Sequence, residues 1–119
     1  MSCRRVEAVL AFRVEKCCLK VGGTTVEFGT PIAQVVEAEG VLCVRIDSPI
    51  GSQDNRNVFG VSEEGVVVWQ VPGRKHVYPD SPYTNVTVEA GAFLLGNWDG
   101  LELTVDPATG AVMNEGYVR

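Results

Sequence analysis

Apolar and polar positions alternate in short runs along the chain, with turn-forming residues between them. Val6, Ala8, Leu10, Phe12 and Val14 alternate with Glu7, Val9, Ala11 and Arg13, a period of two that gives residues 6–14 one apolar and one mixed strand face. Residues 17–21 and 24–28 flank Gly22-Gly23, a pair that accepts the positive φ angles of a two-residue hairpin turn. Residues 31–39 carry two signals. Thr30 as cap, Pro31 at the first helical position and Gly40 as stop suit a short helix. A strand over 32–38 that turns at Glu39-Gly40 instead meets the next strand, 41–47, at minimal length, and is the expectation.

The stretch "SPIGSQDNRN" after Asp47 is turn-rich and reads as a surface loop. Strands follow at 57–61 and 66–71. Then "PGRKHVYPDSPY" sets Pro72, Pro79 and Pro82 within a dozen residues, and the sheet must pause, because proline gives no N–H to a ladder and restricts the residue before it. Strands near 84–89, 92–97, 101–105 and 111–117 complete the chain.

These elements contain a repeat. "EGVLCVRID" followed by "NVFGVSEEGVVVWQV" parallels "AGAFLLGNWDG" followed by "LELTVDPATGAVMNEGY". In each, glycine opens a strand, a turn follows, and two strands flank an acidic turn that glycine closes. The main difference is the extra loop of residues 48–56 in the first unit. In Asp106-Pro107-Ala108-Thr109-Gly110, proline presets φ, the aspartate accepts from backbone N–H groups further on, and Gly110 takes the left-handed position. The expected fold is a single all-β domain over residues 1–119. It has about nine to eleven short antiparallel strands and at most one short helix, with two blade-like units in a twisted meander that forms a sandwich or partly open barrel.

Composition agrees. Among 119 residues 45% are hydrophobic, 21% are charged, mean hydropathy is +0.10, and 21 are valine, which excludes charge-driven disorder and favours pleated sheet. The net charge of -5 and the lack of a Lys/Arg cluster beyond Arg4-Arg5 and Arg74-Lys75-His76 argue against nucleic acid as a partner. No apolar stretch approaches a membrane span or a leader, so a cytoplasmic protein without a membrane partner is expected. In that compartment Asn85-Val86-Thr87 is a chance sequon, and Cys3, Cys17, Cys18 and Cys43 are free thiols. With no C-x-x-C pair and His76 as the only histidine, no metal site is expected.

The pair of units resembles the repeat of pyrroloquinoline-quinone-type β-propellers, in which a D-x-x-T-G turn links two strands and a Trp commonly follows on the second. The second unit has Met113 in place of that Trp. A propeller needs at least about four blades. A closer resemblance is to small uncharacterised bacterial all-β proteins of similar length. It rests on Asn57-Val58-Phe59, Gly65 through Val71, Trp98-Asp99-Gly100 and Asp106 through Gly110, in that order. This resemblance implies a stand-alone all-β domain and names neither an activity nor a cofactor.

Catalytic motifs fail one by one: there is no G-x-S-x-G elbow, phosphate-binding glycine loop or H-E-x-x-H. His76 alone in a proline-rich loop reads as solvated, and Glu63-Glu64 as turn solvation. The binding candidates are Trp69, Arg74, His76, Tyr78, Tyr83, Trp98 and Asp99, since aromatic residues with arginine are the common anchors of binding surfaces. Burial as core plugs is the alternative for both tryptophans. The loop side chains Arg74, His76 and Tyr78 are expected to be dispensable for folding. The expectation is a non-enzymatic binding or interaction module for an unknown protein or small-molecule ligand, without a cofactor. The alternative is a small enzyme or a ligand-binding β-barrel, and the exposed final strand points to a homodimer.

Overall fold

The computed structural model describes residues 10–49, 51–76 and 78–118, and every regular element among them is a β-strand. In chain order these are β1 (Phe12–Glu15), β2 (Cys18–Val21), β3 (Thr24–Glu27), β4 (Ile32–Ala38), β5 (Val41–Ile46) and β6 (Val58–Ser62). They continue with β7 (Val67–Gln70), β8 (Tyr83–Glu89), β9 (Ala92–Asn97), β10 (Leu101–Val105) and β11 (Val112–Tyr117). Residues 6–9 of the expected first strand, with Cys3 and Arg4-Arg5, lie outside the described residues.

The ambiguous segment is the strand β4, and its turn explains why. Glu39 and Gly40 take φ of 52° and 76°, the left-handed pair of a tight hairpin whose twist matches that of the strands. The Glu37 carboxylate accepts from Gly40 N at 3.1 Å. The same pair of angles recurs at Gly22-Gly23 and at Ala90-Gly91.

The strands form three open antiparallel sheets, in the orders β1-β2-β3, β4-β5-β6-β7 and β11-β10-β9-β8, and the described strands close no barrel. The two four-stranded sheets are the sequence repeat, and each begins one strand earlier than the similarity does. Strands β4 and β8 are seven residues each, β5 and β9 six each. A register shift falls between Ile32 and Gln34 in one sheet and between Tyr83 and Asn85 in the other. Each of the two units is a four-stranded antiparallel meander.

The β4–β7 sheet is the middle layer. Leu42, Val44, Ile46 and Val61 cluster with Leu19 and Val21 of β2, whereas Val41, Cys43, Val58 and Trp69 cluster with Val86, Phe93, Leu95, Leu103 and Val105. Strand β5 is therefore buried on both faces, and its run of apolar residues replaces the alternation of a one-faced strand. Burial pushes the Cys43 thiol far above its ordinary range.

Polar side chains tie the repeats together. The Gln34 carboxamide meets the edge of β8 as a strand would: Nε2 donates to Val86 O at 2.9 Å, and Oε1 accepts from Val86 N at 3.1 Å and Arg45 Nε at 3.0 Å. Elsewhere Trp69 Nε1 donates to Pro107 O at 2.7 Å, and the indole fills the space a side chain on Gly60 or Gly110 would need. No helix among the described residues is long and apolar enough to cross a membrane.

Candidate functional site

The loop between β7 and β8 and the turn between β9 and β10 meet at one end of the second repeat. The turn is built by its own polar atoms. Asn97 Oδ1 accepts from Asp99 N and Asp99 Oδ1 from Leu101 N, both at 3.0 Å, while Gly100 takes φ 95°. Short polar side chains that satisfy turn N–H groups explain the residue types in "NWDG". Trp98 N donates to Pro82 O at 2.9 Å, and Asn97 Nδ2 donates to Ser81 O at 2.8 Å.

That contact carries Asp99 to His76. His76 Nδ1 stands 2.9 Å from Asp99 Oδ2, with side-chain exposures of 4% and 0%. The reading of His76 as solvated is thereby corrected: the hairpin β9–β10 delivers a carboxylate 23 residues further along the chain. With Asp99 ionised, His76 Nδ1 carries a proton and donates it, which fixes the ring's orientation. The ring meets Tyr83 edge-on, with centroids 6.4 Å apart. Tyr83 is buried, and among the described residues its hydroxyl has no hydrogen-bond partner. Desolvation pushes its phenol up to about 12, with the carboxylates of Asp99 and Glu115 adding to the rise and Arg74 opposing it. Arg74 is ion-paired with Glu115 of β11.

The proline-rich loop is also held from the other side, by the loop that distinguishes the first repeat. Asn55 Nδ2 donates to Pro79 O at 2.8 Å and Asn55 Oδ1 accepts from Ser81 N at 2.8 Å. The Asp80 carboxylate accepts from Gly51 N and Gln53 N. The buried Asn57 carboxamide donates to Ile46 O and Tyr83 O and accepts from Tyr83 N, at 2.9 to 3.0 Å. Residues 51–57 thus buttress residues 79–83, while His76 is held by Asp99 and Arg74 by Glu115.

Of the sequence candidates, Arg74, His76, Tyr83, Trp98 and Asp99 share this end of the sheet. Tyr78, 54% exposed, lies beside it, its carbonyl accepting from Ser81 Oγ at 2.7 Å. Trp98 is 65% exposed. Trp69 is apart from them, 8% exposed and packed on Phe93, so the core-plug alternative describes it and its ring presents no face to a partner. Glu115, Tyr117 and the asparagines 57 and 97 are additions that sequence reasoning missed. Asn57 and Asn97 directly precede the apolar strand and the Trp-Asp-Gly turn, which is the available signal. A surface depression of about 580 Å³, lined by Phe12, Lys20 and Thr24 among others, lies on the β1–β3 sheet and contains none of the candidates.

Residues 9–117 match the family model described as a domain of unknown function, DUF7957. The chain belongs to this family. No curated protein and no solved structure matches the chain. The DUF7957 match spans all three sheets, so the two repeats and the three-stranded layer are parts of one family unit.

Proposed function

We propose that this DUF7957 chain is a non-enzymatic binding module that engages a protein or small-molecule partner through the Trp98 end of its second repeat. The observation that carries the reading is Trp98. A large aromatic ring stands 65% exposed on a turn whose backbone is fixed by Asn97, Asp99 and Pro82. A rigid turn loses little conformational entropy when its indole is covered, and tryptophan is enriched among residues that dominate binding energy. Tyr78 and Tyr117 add exposed aromatic surface near the same turn. Parallel pull-downs with the wild type and Trp98→Ala as baits test the reading. Partners held by the wild type should be lost by the variant while its melting temperature stays unchanged. Identical capture by both baits would overturn it.

A second reading, a small enzyme, draws on the His76–Asp99 contact, the arrangement of a base oriented by a carboxylate. It is weaker because the His76 side chain is almost fully covered. With three open sheets, a ligand pocket would be a surface feature rather than a barrel lumen. Turnover of any screened substrate class that disappears in Asp99→Asn, at an unchanged melting temperature, would favour it.

A further inference from the structure

Gly116 is a glycine the single chain does not account for. Most described glycines sit at positive φ, and Gly60 lies against the Trp69 ring. Gly116 lies inside β11 with φ outside the left-handed region, and a Cβ built there would meet nothing within 4 Å. Glycine weakens a strand interior, and one of its recurrent uses there is to let another backbone approach closely.

The strand around it is open. β11 is the outermost strand of its sheet and all six of its residues are exposed. Val118 N donates to Gly100 O at 2.8 Å, and the pairing continues through Glu102↔Gly116 and Thr104↔Asn114. The N–H and C=O groups of residues 114, 116 and 118 therefore point at β10, and those of Glu115 and Tyr117 point away from the sheet. Strand β8, at the opposite edge, is met by Gln34. Nothing equivalent meets β11 among the described residues.

We propose that β11 pairs antiparallel with β11 of a second copy, about a two-fold axis at Gly116. Gly116 then faces Gly116 of the second copy, Glu115 faces Tyr117, and Asn114 faces Val118. Four backbone hydrogen bonds form, two for each Glu115–Tyr117 pair, because those residues hold the outward groups. Charge selects this register over the neighbouring one centred on Glu115, which sets two carboxylates directly opposite each other. The register shift between Thr104 and Val105 ends the regular ladder before Met113 and limits the pairing to this segment. Arg74 already neutralises Glu115, so no bare charge is drawn into the junction. Tyr117 and Val118, 59% and 58% exposed, are partly covered. Two four-stranded sheets become one of eight, an isologous contact that closes on itself. A ladder this short gives a dimer that dissociates on dilution. Tyr117 borders the Trp98 surface, but the pairing is argued from the β11 backbone and Gly116 and does not rest on the Trp98 reading.

Sedimentation velocity over a micromolar-to-millimolar series tests it, with the full chain. The wild type should pass from monomer to dimer. Gly116→Lys, which has open space in the monomer but opposes two cations at the axis, should stay monomeric with an unchanged circular dichroism spectrum and melting temperature. Residues facing each other at a non-hydrogen-bonded position have Cα atoms about 4.5 Å apart, within disulfide range. Gly116→Cys should therefore form an interchain disulfide on mild oxidation, whereas Glu115→Cys and the wild type, with its native cysteines, should not. A wild type that stays monomeric throughout, a Gly116→Lys variant that dimerises like it, or preferential cross-linking of Glu115→Cys would each overturn the proposal.

Discussion

At the residue scale, Tyr83 is the most informative side chain. Its ring packs in the core, and among the described residues its buried hydroxyl has no partner. Leaving such a group unsatisfied costs about 1–3 kcal/mol, so Tyr83→Phe should stabilise the fold by about 1–2 kcal/mol in urea unfolding. The phenol also sets a pH dependence. Its proton is held up to about 12 in the fold and released near about 10 in the unfolded chain. Below pH 10 the phenol is neutral in both states and adds no pH dependence, and the fold loses stability as pH rises from 10 through 12 because ionisation is favoured only in the unfolded chain. Tyr83→Phe should flatten that alkaline limb. The two tryptophans show what one chain cannot reveal about itself at this scale. Both end or leave strands. Trp69 is buried because Gly110 and Pro107 of the other repeat receive its indole, and among the described residues Trp98 stays exposed. Trp69→Ala should destabilise by about 3–5 kcal/mol, measured by the same unfolding curve, and Trp98→Ala by less than about 0.5 kcal/mol.

At the element scale, the strands were legible in sequence and the ties between loops were not. Alternation and the glycine turns located β2 through β11 to within a residue or two, because strand faces and tight turns are set by near neighbours. Even the mechanics of the Asp106–Gly110 turn were legible: Asp106 Oδ2 accepts from Thr109 N at 3.0 Å and Gly110 takes φ 74°. The long connections read as two separate surface loops. Their mutual support depends on Asn55, Asn57 and Asp80 reaching atoms 24 to 29 residues away, a contact that no local pattern encodes. Asn57→Ala leaves the Ile46 and Tyr83 backbone groups without partners and should cost about 2–3 kcal/mol. Hydrogen exchange at residues 78–83 should accelerate more than exchange in β2 and β3. Equal acceleration everywhere would mean that the asparagine supports the whole fold and has no special hold on the loop.

At the scale of the whole molecule, the middle sheet is packed on both faces, which couples all three layers. Leu19 of the outer three-stranded sheet is fully buried against it, so Leu19→Ala should lower stability by about 2–5 kcal/mol. Fluorescence of Trp69 and far-ultraviolet circular dichroism should still report one shared transition. The stacking itself was hidden in sequence, since an uninterrupted apolar strand such as β5 indicates two covered faces without naming what covers them. The Gln34 tie has a kinetic consequence. All pairings in the sheets join consecutive strands, so each meander closes short loops and can assemble early, whereas Gln34 must find Val86 across 52 residues and closes its loop only when two preformed halves dock. Gln34→Ala should then speed unfolding and leave refolding almost unchanged, the signature of a contact made after the rate-limiting barrier.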